Sequence, residues 1–68
     1  MQMISVKSKS IASIGYENEQ MQINFRNGEI LVFQGIPVQL FNNFMIARQK
    51  GKFYGIYIRG KYPSIKIR

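Results

Sequence analysis

From Gln20 to Phe25 polar and apolar side chains alternate without a break, Gln-Met-Gln-Ile-Asn-Phe. That period belongs to a strand with one wet face and one packed face. Arg26-Asn27-Gly28-Glu29 follows, and Asn-Gly between two apolar runs predicts a hairpin turn. The next strand, Ile30-Leu31-Val32-Phe33, is apolar at every position, so its register is open. A two-residue loop sets Phe25 opposite Ile30 and Ile23 opposite Val32. A three-residue loop with a bulge at Gly28 sets Ile23 opposite Leu31 and Met21 opposite Phe33. One residue of slip exchanges the faces. In either register this strand is expected to be central and covered on both sides.

At Pro37 the period changes. Val38, Leu40, Phe41, Phe44, Met45 and Ala47 fall within one half of a helix surface, and Gln39, Asn42, Asn43 and Gln49 on the other. The pattern predicts a helix from Pro37 to Gln49 with Phe41 and Phe44 buried and Ile46 left exposed among the polar residues. Pro37 suits the first helical position, where a missing N–H has no intrahelical partner anyway. Gly51 suits the left-handed position past the end, and Arg48 and Lys50 suit the negative end of the dipole.

The flanks are less regular. Ser5 to Tyr16 is serine-rich and becomes β-like from Ile11, with Val6, Ile11, Ile14 and Tyr16 as apolar anchors. Gly15 points to a bulge or a close backbone approach, and Glu17-Asn18-Glu19 to a polar turn. After the helix, Lys52 to Pro63 reads two ways. Its β-branched and aromatic residues favour a strand, whereas Tyr54, Ile58 and Tyr62 recur at helical spacing. Gly55 and Gly60 weaken a helix by about 1 kcal/mol each. The tail Ser64-Ile65-Lys66-Ile67-Arg68 alternates, as a short edge strand or a frayed end would.

Composition narrows the class. Sixty-eight residues allow one small domain. Five Phe and four Tyr supply a core, and the absence of cysteine removes disulfides and thiolate metal sites. No apolar run approaches a membrane span, and the first residues lack a signal peptide's apolar stretch, so a cytoplasmic setting with no membrane is expected. Ten Lys and Arg against three acidic residues give a net charge of +7, a field that attracts polyanions.

Catalysis finds little material. There is no His, and the carboxylates of Glu17, Glu19 and Glu29 all fall in predicted turns. Gly55 to Lys61 matches most of a phosphate-binding loop, but Tyr62 stands where Ser or Thr must reach magnesium. No enzyme activity, cofactor or metal is expected. The informative feature is the interleaving of charge and aromatic rings toward the C-terminus. Arg48, Lys50, Lys52, Arg59 and Lys61 offer phosphate contacts, extended by Lys66 and Arg68. Among Phe53, Tyr54, Tyr57 and Tyr62 are rings suited to stacking on unpaired bases, with Tyr54 and Tyr62 taken as the candidates.

These residues also carry a resemblance. Ser8-Lys-Ser-Ile-Ala-Ser-Ile-Gly-Tyr16, Phe25-Arg-Asn-Gly28, Gly35-Ile-Pro37, Gly51-Lys-Phe53 and Ile58-Arg-Gly-Lys-Tyr-Pro63 together resemble the KTSC domain. This short module occurs at the C-terminus of some lysyl-tRNA synthetases and as free-standing bacterial and phage proteins. The resemblance implies a helix ending near Ala47 and a second, short helix before Pro63. It also implies RNA as a partner, an association drawn mainly from the synthetase setting. The family's central Tyr-x-Tyr falls here on Leu31 and Phe33, and Gly55 replaces a usual asparagine. The combined expectation is one α+β domain. An antiparallel meander of about three strands is packed by one main helix, with a short C-terminal helix or strand alongside. Its expected function is binding RNA or another single-stranded nucleic acid, RNA favoured. The rival is a protein-interaction module gripping an acidic protein, with Ile46 in the interface.

Overall fold

Alternation along the chain becomes a single antiparallel sheet. The computed structural model describes residues 1–68. Strands β1 (Met3–Ser5), β2 (Ile11–Glu17), β3 (Gln20–Phe25), β4 (Ile30–Phe33) and β5 (Ser64–Lys66) lie in chain order, each paired with the next. The expected three strands are therefore five. Both additions are edge strands of three residues, β1 and β5. They are too short for periodicity to reveal, although the alternating tail does pair as a strand.

The hairpin adopts the bulged register. Met21 faces Phe33 and Ile23 faces Leu31, while Gly28 takes φ +96°. The Phe25 N–H bonds the Glu29 carbonyl at 2.8 Å and Gly28 N–H bonds the Phe25 carbonyl at 3.0 Å, closing the turn. The other tight turn, Asn18-Glu19, places both residues at positive φ, 52° and 63°. Both central positions of the favoured hairpin turn have that hand.

Register assigns the two faces. Ile11, Ile14, Met21, Ile23 and Phe33 are buried on one face, beneath Ile36, Phe44 and Ile58. The other face carries Gly15, Gln22, Val32 and Ile65 in one cross-strand row. No helix covers this second face, and Ile65 and Ile67 are exposed. The expectation that β4 is covered on both sides is corrected accordingly. Its neighbours in the sheet flank it, but Ile30 and Val32 stay half-buried because all the helical material lies on the core side. Gly15 is a close approach: a Cβ there would lie 2.6 Å from the Met3 sulfur and 3.0 Å from the Gln2 carbonyl.

Helix α1 runs over Val38–Ile46, with Pro37 as its cap at φ −65°, ψ 147°. Pro37 thus stands one place before the first helical position, and its carbonyl accepts from Phe41 N–H at 3.2 Å. The C-terminus also departs from expectation. Ala47 is extended and ends the helix, so α1 stops short of Gln49. Gly51 is not a left-handed cap but lies inside α2 (Lys50–Phe53). The reason is spatial: a Cβ on Gly51 would sit 2.7 Å from the Ser10 hydroxyl.

Of the apolar face of α1, Phe44 is fully buried, whereas Phe41, expected to be buried with it, is half-buried like Leu40 and Met45, since it packs at the edge of the core. Val38, expected to pack, is 58% exposed, while Ile46 is 81% exposed as its place among polar residues predicts. Phe41 stacks on Tyr16 with ring centroids 4.6 Å apart. Helix α2 runs on into a π-helical stretch, Tyr54–Ile58, closed by Arg59 N–H to the Tyr54 carbonyl at 2.9 Å. The wider turn buries Ile58. It also sets Tyr54 edge-on to Phe25 and Phe33, at 5.3 and 5.8 Å. No helix is long and apolar enough to cross a membrane.

Candidate functional site

The short link after α1 brings a run of cations back toward the start of the sheet. Arg48, Lys50 and Lys52 come together with Lys7 and Lys9, which lie in the loop between β1 and β2. Between them is an open groove of about 430 Å³ whose remaining lining is Ser8, Ser10, Gln49 and Gly51. No carboxylate and no apolar side chain lines it. The rim thus holds five cations without a counter-charge, an arrangement that attracts an anion and offers hydroxyl groups to hydrogen-bond it.

Local chemistry shapes each wall. The Ser8 hydroxyl accepts from the Ser10 and Ile11 N–H groups, both at 3.3 Å, folding the loop on itself. From the end of β3, Arg26 donates through Nε to the Ser8 carbonyl at 2.6 Å and through Nη2 to the Val6 carbonyl at 3.1 Å. On the opposite wall Lys50 Nζ donates to the Ala47 carbonyl at 2.7 Å. One of its three hydrogens therefore satisfies the end of α1, and the others remain for a ligand. The close seating of Ser10 against Gly51 joins the two walls.

The remaining candidates lie elsewhere. Lys66 and Arg68 line a separate concavity of about 380 Å³ with Asn27, Gly28 and Glu29. There Lys66 is 3.6 Å from Glu29, which offsets part of its charge. Arg59 lies near Tyr54, and its charge acts on that ring; Lys61 follows in the turn before β5. Burial pushes the Tyr54 phenol above its ordinary pKa, with Arg59 acting to lower it and Glu29 to raise it. Tyr54 and Tyr62 both pack against the core. That packing engages both rings singled out from sequence for stacking and leaves each half-buried.

A different ring is free. Tyr57 is 53% exposed and rests on Phe53 at 4.6 Å, which in turn stacks on buried Phe44 at 5.3 Å. Sequence reasoning named Tyr57 without selecting it, and passed over Lys7, Ser8, Lys9 and Ser10. The signal for those four was present, a Lys/Ser alternation from Lys7 to Ser10. What it lacked was any hint that the loop folds against α2.

This fold is shared with known proteins. The model of the KTSC domain matches residues 7–62. The crystal structure of a KTSC domain protein from Yersinia pestis superposes with a TM-score of 0.95 at 38% sequence identity. That match covers 98% of this chain and 97% of the other. No curated protein matches it.

Proposed function

The chain belongs to the KTSC domain family, and we propose that it is a small, non-enzymatic nucleic-acid-binding module, RNA favoured, that holds the phosphate backbone. One observation carries this reading: five cations from two distant parts of the sequence converge on a groove without a carboxylate. Neutralising phosphates releases condensed counterions, so such a groove gains affinity without reading sequence. The Arg59, Lys61, Lys66 and Arg68 charges lie outside the groove and contribute long-range attraction, reduced at Lys66 by Glu29.

Retention of the folded protein on RNA or single-stranded DNA, followed against salt, tests the reading. Replacing Lys7 and Lys9 together by Ala should flatten the plot of log affinity against log salt by about 1.4, roughly 0.7 for each lost contact to a single strand. Arg59→Ala with Lys61→Ala is the comparison, and it should change the slope less. Equal loss from both pairs would return the interface to the broader C-terminal surface. Absence of any salt-dependent retention at low ionic strength would end the nucleic-acid reading and leave the protein-interaction module.

A further inference from the structure

The basic groove does not end at Lys52. Gln49 and Lys52 also line a second, shallower cleft formed with Ala47, Phe53, Ile56 and Tyr57, of about 180 Å³. One side of the shared wall is wholly polar and cationic, and the other is apolar and aromatic. In the cleft Ile56 is 49% exposed as well as Tyr57, so two large apolar side chains face solvent beside a cluster of positive charge. Their exposure is built in: the π-helical stretch turns Tyr54 and Ile58 into the core and leaves Ile56 and Tyr57 outside. Tyr57 is backed by a ladder of rings through Phe53 to buried Phe44, which fixes its position.

We propose that groove and cleft form one site for an unpaired nucleotide, its phosphate among Lys7, Lys9, Arg48, Lys50 and Lys52 and its base stacked on Tyr57. The inference rests on the nucleic-acid reading above and adds to it a requirement for exposed bases. Polyanions without bases fill only the groove. A duplex, whose bases are already stacked, cannot use the cleft, so single-stranded segments are the substrate class. Lys52 lies at the junction and accompanies both halves of the nucleotide. The π-face of every base suits Tyr57, so the site discriminates unpaired from paired strands rather than one sequence from another.

The test compares three probes at one salt concentration: a single-stranded oligonucleotide, an abasic strand of the same length, and the duplex. Stacking on a protein aromatic ring is worth about 5- to 150-fold in affinity per base. The intact strand should therefore bind at least about fivefold more tightly than the abasic one. Tyr57→Ala should remove that difference while leaving abasic binding and its salt slope unchanged, and Tyr57→Trp should restore it. Thermal melting of each variant confirms that the fold is retained. If intact and abasic strands bind equally, the stacking site is overturned while phosphate binding by the groove stands. If neither strand binds, both readings fall.

Discussion

The guanidinium of Arg26 grips the backbone of the loop at Ser8, with Nε 2.6 Å from the Ser8 carbonyl oxygen. A residue at the end of β3 thereby sets the conformation of a loop that precedes β2. The same residue's N–H bonds the Ser10 carbonyl at 2.9 Å, so three contacts hold the wall that carries Lys7 and Lys9. Arg26 lies outside the groove lining but bonds the backbone of the loop that forms one wall. Arg26→Ala is expected to lower stability by about 1 kcal/mol, since the bonds are charge-assisted but exposed. It should also weaken binding to heparin more than the loss of one remote charge does. Arg26→Lys keeps the charge but not the fork, and should recover little of the binding. Full recovery with Lys, measured by heparin retention beside urea unfolding, would show that charge alone matters.

Turn chemistry yields a stabilising change. Glu19 sits at φ 63° as the second central residue of the β2–β3 turn, a conformation that strains a residue with a Cβ. Asn followed by Gly is the preferred pair for such a turn, and Asn18 already occupies the first place. Glu19→Gly should raise stability by about 0.5–1 kcal/mol, read as a higher melting temperature. By the same logic Gly28→Val, at φ +96° with open space around it, should lower stability by about 1 kcal/mol or more. A neutral result at Gly28 would contradict the left-handed assignment.

Much of this fold was legible because its strongest signals are local. Six alternating residues wrote β3, Asn27-Gly28 wrote the hairpin, and the apolar spacing across Phe41 and Phe44 wrote α1. Ile46 was placed at the surface by its polar neighbours. The misjudged features depend on contacts between distant segments. Gly51 looks like a cap in isolation, but its missing side chain accommodates Ser10. The run Ile30–Phe33 suggests two packed faces, whereas the only helices lie over one. The site shows the same limit. Sequence could count the charges from Arg48 onward, but not see that Lys7 and Lys9 join three of them while Tyr54 turns inward.

Core energetics separate two neighbouring phenylalanines. Phe44 is fully buried between sheet and α2, so Phe44→Ala should cost about 3–5 kcal/mol. That is comparable to the whole stability of a domain this small, and the variant should be largely unfolded at room temperature. Phe41 is half-buried and keeps its stack on Tyr16, whose hydroxyl donates to the Ile36 carbonyl at 2.6 Å. Phe41→Ala should cost about 1–3 kcal/mol and leave a folded protein. Circular dichroism melts of the two variants decide the order, and a Phe41 variant less stable than the Phe44 one would reverse it.

Alkaline stability provides a readout of Tyr54 that is independent of binding. Its phenol is pushed above the ordinary value chiefly by burial, so the folded protein holds this proton more tightly than the unfolded chain does. Below the ordinary phenol range, about pH 10, both states are protonated and the group adds no pH dependence. As pH rises past that point the unfolded chain ionises first. Stability then falls until the folded-state value is passed. Tyr54→Phe removes the titrating group while keeping the ring between Phe25 and Phe33. Its melting temperature should accordingly decline less steeply than the wild type's above pH 10 or so. Parallel alkaline profiles for the wild type and Tyr54→Phe would mean that Tyr54 is solvated, and that the edge-on packing does not persist in solution.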